Sequence, residues 1–229
     1  MILKEGGNIF KDESGRALTQ RINQTDVKPT LAWLEELLPG LDLQGNTLGS
    51  TGIKDTSGDM DIAVDPRQVT KLQLKTRLEQ WAQSHGFKPE EWVKKSGTQV
   101  HFKTPINGDP KQGFVQTDFM FLTDVPWSKF VLGAMPQDSK YKGRERNVLM
   151  NSLAKSMGYK LNMTDGIYDR ANNKFLTDDP DKVVNSWQFK YQGIPCGIWD
   201  YKGSHQFNRF STFGPSIVFE KLFGEKYGE

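Results

Sequence analysis

Cysteine is nearly absent from this chain: Cys196 stands alone among 229 residues. One thiol excludes an internal disulfide and a cysteine cage for zinc, and it fits a reducing compartment. Histidine is scarce as well. His85 and His205 show no metal-ligand spacing, and His101, inside an alternating run, reads as structural. Neither sign of charge dominates, since 30 Lys plus Arg face 28 Asp plus Glu for a net charge of +2. That balance neither demands nor excludes nucleic acid, and leaves room for a local basic patch. No apolar run approaches the roughly 20 residues that a bilayer span needs. The opening MILKEGGNIF is too polar and broken for a secretory leader. Repeats and low-complexity linkers are missing too. The expectation is a soluble, intracellular, cytoplasmic protein with no membrane partner, long enough for one large domain or two small ones.

What is present reads as a mixture of helices and strands. Residues 1–20 are rich in Gly, Asn, Lys and Asp and predict an irregular arm. Thr25 or Asp26 begins a helix carrying Leu31, Leu34, Leu37 and Leu38 at helical spacing, ended by Pro39-Gly40. Residues 43–49 read as a strand running into Gly49-Ser50, and 59–64 (DMDIAV) as a second, broken by Pro66. A helix follows over 67–84, with Val69, Leu72, Leu74, Leu78 and Trp81 on one stripe. Strands at 98–104 and 114–122 flank a turn rich in Gly, Pro, Asn and Asp. A helix at 144–157 shows Val148, Leu149, Leu153 and Met157 as its apolar positions. A hairpin over 166–177 and a short helix over 178–187 complete the pattern, and the aromatic, Gly-rich tail from Gly193 is left unassigned. The order gives an α+β class, not a doubly wound βαβ one.

The stretch Leu48–Val64, LGSTGIKDTSGDMDIAV, carries the chemistry. Aspartate is depleted from strands, because a charge on a half-buried pleated surface costs free energy. Asp59 and Asp61 nonetheless open one, and their spacing puts both carboxylates on one face with Met60 and Ile62 on the other. Like charges held together call for a cation, and magnesium prefers hard oxygen ligands and shares them with phosphates. A third acid, Asp118, lies in another strand-like run, TDFMFL. Paired beside the first strand, roughly 4.8 Å away, it completes a carboxylate site for two metals. An isolated Asp-x-Asp is more often a turn with solvated carboxylates. Gly49-Ser50 ahead of it and Asp118 after it give this one its weight. Glycine lets backbone approach a phosphate, and a serine hydroxyl donates to it.

These residues resemble the nucleotidyltransferase superfamily pattern of an apolar residue, Gly-Ser, a short gap, then Asp-apolar-Asp-apolar. Ser57-Gly58-Asp59-Met60-Asp61 is similar to the catalytic strand of DNA polymerase beta and other family X polymerases. Gln20-Arg21-Ile22 resembles that family's segment whose arginine contacts the triphosphate. Tyr141, Gly143 and Asn147 resemble its segment holding the sugar and base. Ala154–Leu161, Gly166-Ile167-Tyr168 and Asp179–Tyr191 resemble its helix exit, hairpin and final short helix, so the likeness spans about 20–191. The chain departs from the family in three ways. Arg144 follows Gly143 where the family has serine, the loop between Ser50 and Asp59 is shorter with Lys54 its nearest basic residue, and no lyase or helix-hairpin-helix domain precedes the palm.

The resemblance implies a polymerase-beta-like palm, a mixed sheet flanked by helices, with a small C-terminal α/β subdomain. It divides the chain into an arm at 1–24, the palm at 25–140, and a nucleotide- or substrate-binding subdomain with the aromatic tail at 141–229. It implies transfer of a nucleoside monophosphate from an NTP or dNTP to a hydroxyl, foremost a nucleic acid 3′ end. Asp59, Asp61 and Asp118 would hold two Mg2+ ions, with Mn2+ an alternative. Arg21, Gly49, Ser50, Lys54 and Gly58 would grip the triphosphate, and Tyr141 and Asn147 would face the nucleoside. Arg144 and Arg146 sit in the first turn of their helix, against its dipole, and suggest either an anionic neighbour or a solvated pair. Trp187, Trp199, Tyr201, Phe207, Phe210 and Phe213, with Lys202 and Arg209, form either an aromatic cap or a stacking surface for a single strand. Two rivals stand beside a nucleic acid end-transferase. One is nucleotidyl transfer to a small molecule or protein. The other is a catalytically idle palm that binds nucleic acid.

Overall fold

A computed structural model of the chain describes residues 8–133, 143–180, 182–183, 188–191 and 194–197. It is α+β, and divides into two compact units, Met1–Val125 and Pro126–Glu229.

Among the described residues, the arm that opens the first unit has no helix or ladder beyond an isolated bridge between Lys11 and Ala17. The arm is anchored all the same, because Phe10 is 1% exposed. Strand β1 (Ile22–Asn23) leads into helix α1 (Gln24–Leu37). The helix starts just ahead of the expected Thr25, since the Gln24 amide is satisfied by the Asp55 carbonyl at 2.9 Å. Gly40, at φ +89°, turns the chain beyond it. The strand expected over 43–49 is only β2 (Thr47–Leu48), and β3 (Thr56–Ser57) follows it. Strand β4 is Asp59–Val64, as the alternation predicts. Helix α2 (Lys71–Ser84) starts later than expected, because Thr70 and Gln73 form a reciprocal capping box there. Helix α3 (Pro89–Trp92) and strand β5 (Val93–Ser96) occupy a stretch that periodicity left unassigned. Strands β6 (Gln99–Pro105) and β7 (Phe114–Phe121) complete the unit.

Five strands form one mixed sheet in the order β2-β4-β7-β6-β5. The β4–β7 pair is parallel and the other neighbours are antiparallel. Helices α1 and α2 pack Leu31, Leu34, Leu38, Leu74, Leu78 and Ala82 into one core with Met60, Ile62, Val100, Phe102, Val115 and Phe119. Every second residue of the central strands therefore faces this core. The alternate residues, Asp59, Asp61, Gln116, Asp118, His101 and Lys103, are left to the opposite face. Trp81 ties α2 to the sheet, with rings of Trp33, Trp92 and Phe102 5.2–5.6 Å away. Leu72, expected on the apolar stripe, is instead 72% exposed. It falls in the first turn, off the Leu74–Leu78–Ala82 line that the sheet buries.

The second unit holds α4 from Pro126 onward (Val125–Val131), a helix the sequence did not announce, and α5 (Gly143–Ser156). Strands β8 (Tyr159–Asn162), β9 (Gly166–Asp169) and β10 (Phe175–Thr177) form a three-stranded antiparallel sheet. Strands β11 (Gln188–Tyr191) and β12 (Ile194–Gly197) pair as a hairpin. Trp127, Val131, Met150, Ala154, Leu161 and Ile167 make this unit's core. Val148 is exposed, because the buried line of α5 runs through Met150 and Ala154. Of the helix expected over 178–187, Pro180, Lys182 and Val183 are helical, and 181 and 184–187 lie outside the described residues. No described helix is long and apolar enough to cross a membrane.

Candidate active site

Parallel pairing of β4 with β7 sets Asp61 directly across from Asp118 and Asp59 across from Gln116. Because side chains alternate, both β4 aspartates and Asp118 project from the same face. One carboxylate oxygen from each of Asp59, Asp61 and Asp118 lies within 4.8 Å of the others. Asp118 thus joins the two β4 acids in a cluster that could hold a metal ion.

The charges in this cluster are crowded. Burial and the neighbouring carboxylates of Asp59 and Asp118 push Asp61 up to about 7. Asp59 is also raised, by burial and by Asp118, with the Arg21 guanidinium pulling the other way. Like charges in a poorly solvated place disfavour one another's ionised form.

Asp118 is the most enclosed of the three, at 8% exposure. Its Oδ1 takes a 2.7 Å bond from His101 Nδ1, and its Oδ2 a 3.1 Å bond from Gln116 Nε2. His101 Nε2 meets Ser96 Oγ at 2.6 Å. The Gln116 Oε1 accepts from the Ile9 amide at 2.9 Å, and Lys94 Nζ donates to the Ile9 carbonyl at 2.9 Å. His101 therefore sits against a site carboxylate, and Gln116 and Ser96 join it. Sequence reasoning took His101 for a structural residue and did not single out Gln116 or Ser96, because their link to Asp118 runs through the β6–β7 and β5–β6 registers, which no local pattern states.

The turn after β2 closes the other side. Gly49 has φ +58°, and a Cβ there would stand 3.3 Å from Asp61 Oδ2. Backbone conformation and space both call for glycine. Thr51, which the sequence reading also missed, accepts the Asp61 amide at 3.0 Å through Oγ1, beyond the point where β2 ends. Ser50 is tied in through its carbonyl, which accepts from Ser57 Oγ at 3.0 Å. Lys54 lies in the same turn, its amide donating to the Ser50 carbonyl at 3.3 Å.

Arg21 precedes β1, and β1 pairs with β3 just ahead of Asp59. Its guanidinium is exposed and donates to Thr56 Oγ1 at 3.0 Å and the Thr56 carbonyl at 2.9 Å. A Cβ on Gly58 would meet Arg21 Nη1 at 3.3 Å. Arg21, Gly58, Gly49 and Ser50 thus border the three carboxylates.

In the second unit, Asn147 lies on α5 with its side-chain oxygen buried and lacking a hydrogen-bond partner. Arg146 answers neither expectation made for it. It is 4% exposed and donates to the Phe130 and Val131 carbonyls at 2.8 Å. It closes the C-terminal end of α4, where a cation suits the dipole, and burial lowers its pKa to about 10. Tyr141, Trp187 and the aromatic tail fall outside the described residues, as does the Arg144 side chain. No protein-family model matches the chain, and no curated protein matches it either.

Proposed function

We propose that the chain is a metal-dependent nucleotidyltransferase whose first unit is a polymerase-beta-like palm. The observation that carries this reading is the convergence of Asp59, Asp61 and Asp118 on the face of the mixed sheet opposite the α1–α2 core. The donor set suits Mg2+, being three hard anionic oxygens and no sulfur. Oxygens on opposite sides of one such ion lie about 4.2 Å apart, so a cluster within 4.8 Å fits with small side-chain rotations. The raised carboxyls of Asp59 and Asp61 point the same way, because a cation relieves their repulsion.

Asp59, Asp61 and Asp118 would hold the ions. When bound, divalent ions supply activation of an attacking hydroxyl and neutralisation of charge on the departing pyrophosphate. Gly49 leaves room beside Asp61 for a phosphate to approach, and Ser50 offers its hydroxyl to it. Arg21, exposed at the rim and acting on Asp59, binds the outer phosphates and holds them in line with the acids. The resemblance assigns the nucleoside to Asn147 and Tyr141. The preferred acceptor is a nucleic acid 3′ end. The net charge of +2 keeps a small-molecule or protein acceptor as the second reading.

The test is incubation of the chain with each labelled NTP and dNTP, Mg2+ or Mn2+, and a panel of primers, duplexes, proteins and small hydroxyl acceptors. Transfer by the parent and its loss by several orders of magnitude in Asp118→Asn is the expected result. Transfer that survives in Asp118→Asn, or a parent inert on every acceptor, would overturn the proposal.

A further inference from the structure

Asp118 differs from its two partners in the site in one respect: both of its oxygens are already held by protein side chains. His101 Nδ1 bonds Oδ1 at 2.7 Å, and Gln116 Nε2 bonds Oδ2 at 3.1 Å. We propose that His101 and Gln116 are a pair of positioning residues that clamp the Asp118 carboxylate, fixing which of its lone pairs face Asp59 and Asp61. The proposal rests on the metal-site reading above.

The clamp is built so that each donor has a single orientation. A carboxylate only accepts, so the His101 nitrogen facing it is the protonated one. The other ring nitrogen, Nε2, then accepts the Ser96 hydroxyl at 2.6 Å, and this bond holds the tautomer. Gln116 could place either end of its amide toward Asp118. Its Oε1 is taken by the Ile9 amide at 2.9 Å, which leaves Nε2 for the acid. Ile9 is held in turn by Lys94 on its carbonyl at 2.9 Å, and Lys94 sits directly across from His101 on β5. His101 and Gln116 are themselves 4% and 5% exposed, so neither ring nor amide swings freely.

Each carboxylate oxygen offers about two in-plane lone pairs. With one on each oxygen occupied, one site per oxygen remains for a cation, and Asp61 lies directly across the β4–β7 pairing. An acid so held is a ligand of fixed direction. An acid without the clamp must lose side-chain freedom when a cation arrives, and ligand-supporting hydrogen bonds of this kind typically change metal affinity 10–100-fold when removed.

The discriminating experiment exploits the geometry of imidazole. Asparagine places its NH2 where Nδ1 was, and glutamine places its own where Nε2 was. The full-length parent, His101→Asn, His101→Gln and Gln116→Met are titrated with Mn2+ alone, free ion being read by paramagnetic resonance, with circular dichroism as the check of folding. Nucleotide KM and kcat are measured beside it. Asn should keep Mn2+ affinity within about threefold, while Gln and the Met variant should lose roughly 10–100-fold. Turnover should fall in those two with little change in nucleotide KM. A packing role predicts the reverse order, since glutamine fills the space of histidine better. Gln equal to or better than Asn, or all variants matching the parent, overturns the clamp. If both His101 variants unfold, unchanged affinity in Gln116→Met overturns it alone. A parent that binds Mn2+ but transfers nothing overturns the nucleotidyltransferase reading and leaves the affinity order to decide the clamp. A parent that binds no Mn2+ removes both.

Discussion

Replacing Asp61 with asparagine separates the chemistry of the site from its effect on folding. The Asp61 carboxyl is pushed from 3.8 up to about 7 by burial and by the charges of Asp59 and Asp118. Between those two values the folded chain keeps a proton that the unfolded chain has released. Stability of the metal-free parent therefore falls as pH rises through about 4 to 7, and levels off above. Each pH unit of that window is worth about 1.4 kcal/mol, which sets a ceiling of about 4 kcal/mol on the penalty of an ionised Asp61. Solvent reaches this partly exposed side chain and the neighbours relax, so about 1–2 kcal/mol is the expected share. Asparagine keeps the shape, and the Asp61 amide keeps its Thr51 partner. The metal-free variant should match the parent near pH 4 and exceed it by about 1–2 kcal/mol at pH 8. Mg2+ should reverse the order at pH 8, since a ligand at 100 times its Kd stabilises by about 2.7 kcal/mol and the variant binds it poorly. Urea melts of both proteins from pH 4 to 8, with and without Mg2+, measure every quantity. A variant less stable than the parent at pH 8 without metal, together with a parent indifferent to Mg2+, would refute the reasoning. It would mean that Asp61 serves the fold.

Arg21→Ala should weaken triphosphate binding far more than monophosphate binding, because the exposed guanidinium faces the rim where the outer phosphates would lie; calorimetry showing equal losses would remove it from the site. Gly49→Ala should destabilise the chain by about 1–2 kcal/mol, the penalty of a positive φ with a side chain, and should displace Asp61 Oδ2, which would stand 3.3 Å from the new Cβ. Parental melting and parental transfer in that variant would show that the turn yields freely. Extension of a DNA primer should be distributive and fall steeply with salt, since it would rest on few phosphate contacts; long products made from one encounter against trap DNA would contradict this.

The strand with two aspartates was legible because period-2 alternation is a short-range signal, and DMDIAV obeys it from Asp59 to Val64. Parity alone put Asp59 and Asp61 on the face opposite Met60 and Ile62. Asp118 was legible as an acid out of place among apolar neighbours. Its opposition to Asp61 required the parallel β4–β7 register, a long-range property that the sequence pattern does not encode. His101 shows the limit most clearly. Within β6 it alternates with Val100 and Phe102, which is the pattern of any strand residue on the second face. Only the pairing of His101 with Asp118 distinguishes it. Arg146 misled for a related reason. It opposes the dipole of its own helix, but its guanidinium reaches the end of another, where the same charge is favourable. The α3–β5 stretch was missed because a single helical turn followed by VKKS shows neither period long enough to register.

The two faces of the sheet divide the physical work. The helix-covered face holds the aliphatic and aromatic core, whose burial is insensitive to which ions are present. The other face buries His101, Gln116 and Asp118, and such groups are tolerated only when each finds a partner. Here they find one another, along a line from Ser96 through His101 and Asp118 to Gln116 and the Ile9 amide. That line stops at the three carboxylates. Asp59 and Asp61 face Asp118 with their ionisation suppressed, while satisfied polar groups surround them. A fold that needed this face only for stability would place neutral or apolar residues there, because asparagine or leucine would remove the repulsion at no loss of shape. The repulsion is instead concentrated between a five-stranded sheet and a glycine turn in which a Cβ would stand 3.3 Å from Asp61 Oδ2. On the proposed reading, stabilisation withheld from the metal-free fold at that point would be returned by a bound cation, so the metal dependence of stability is the most direct probe of what this face is for.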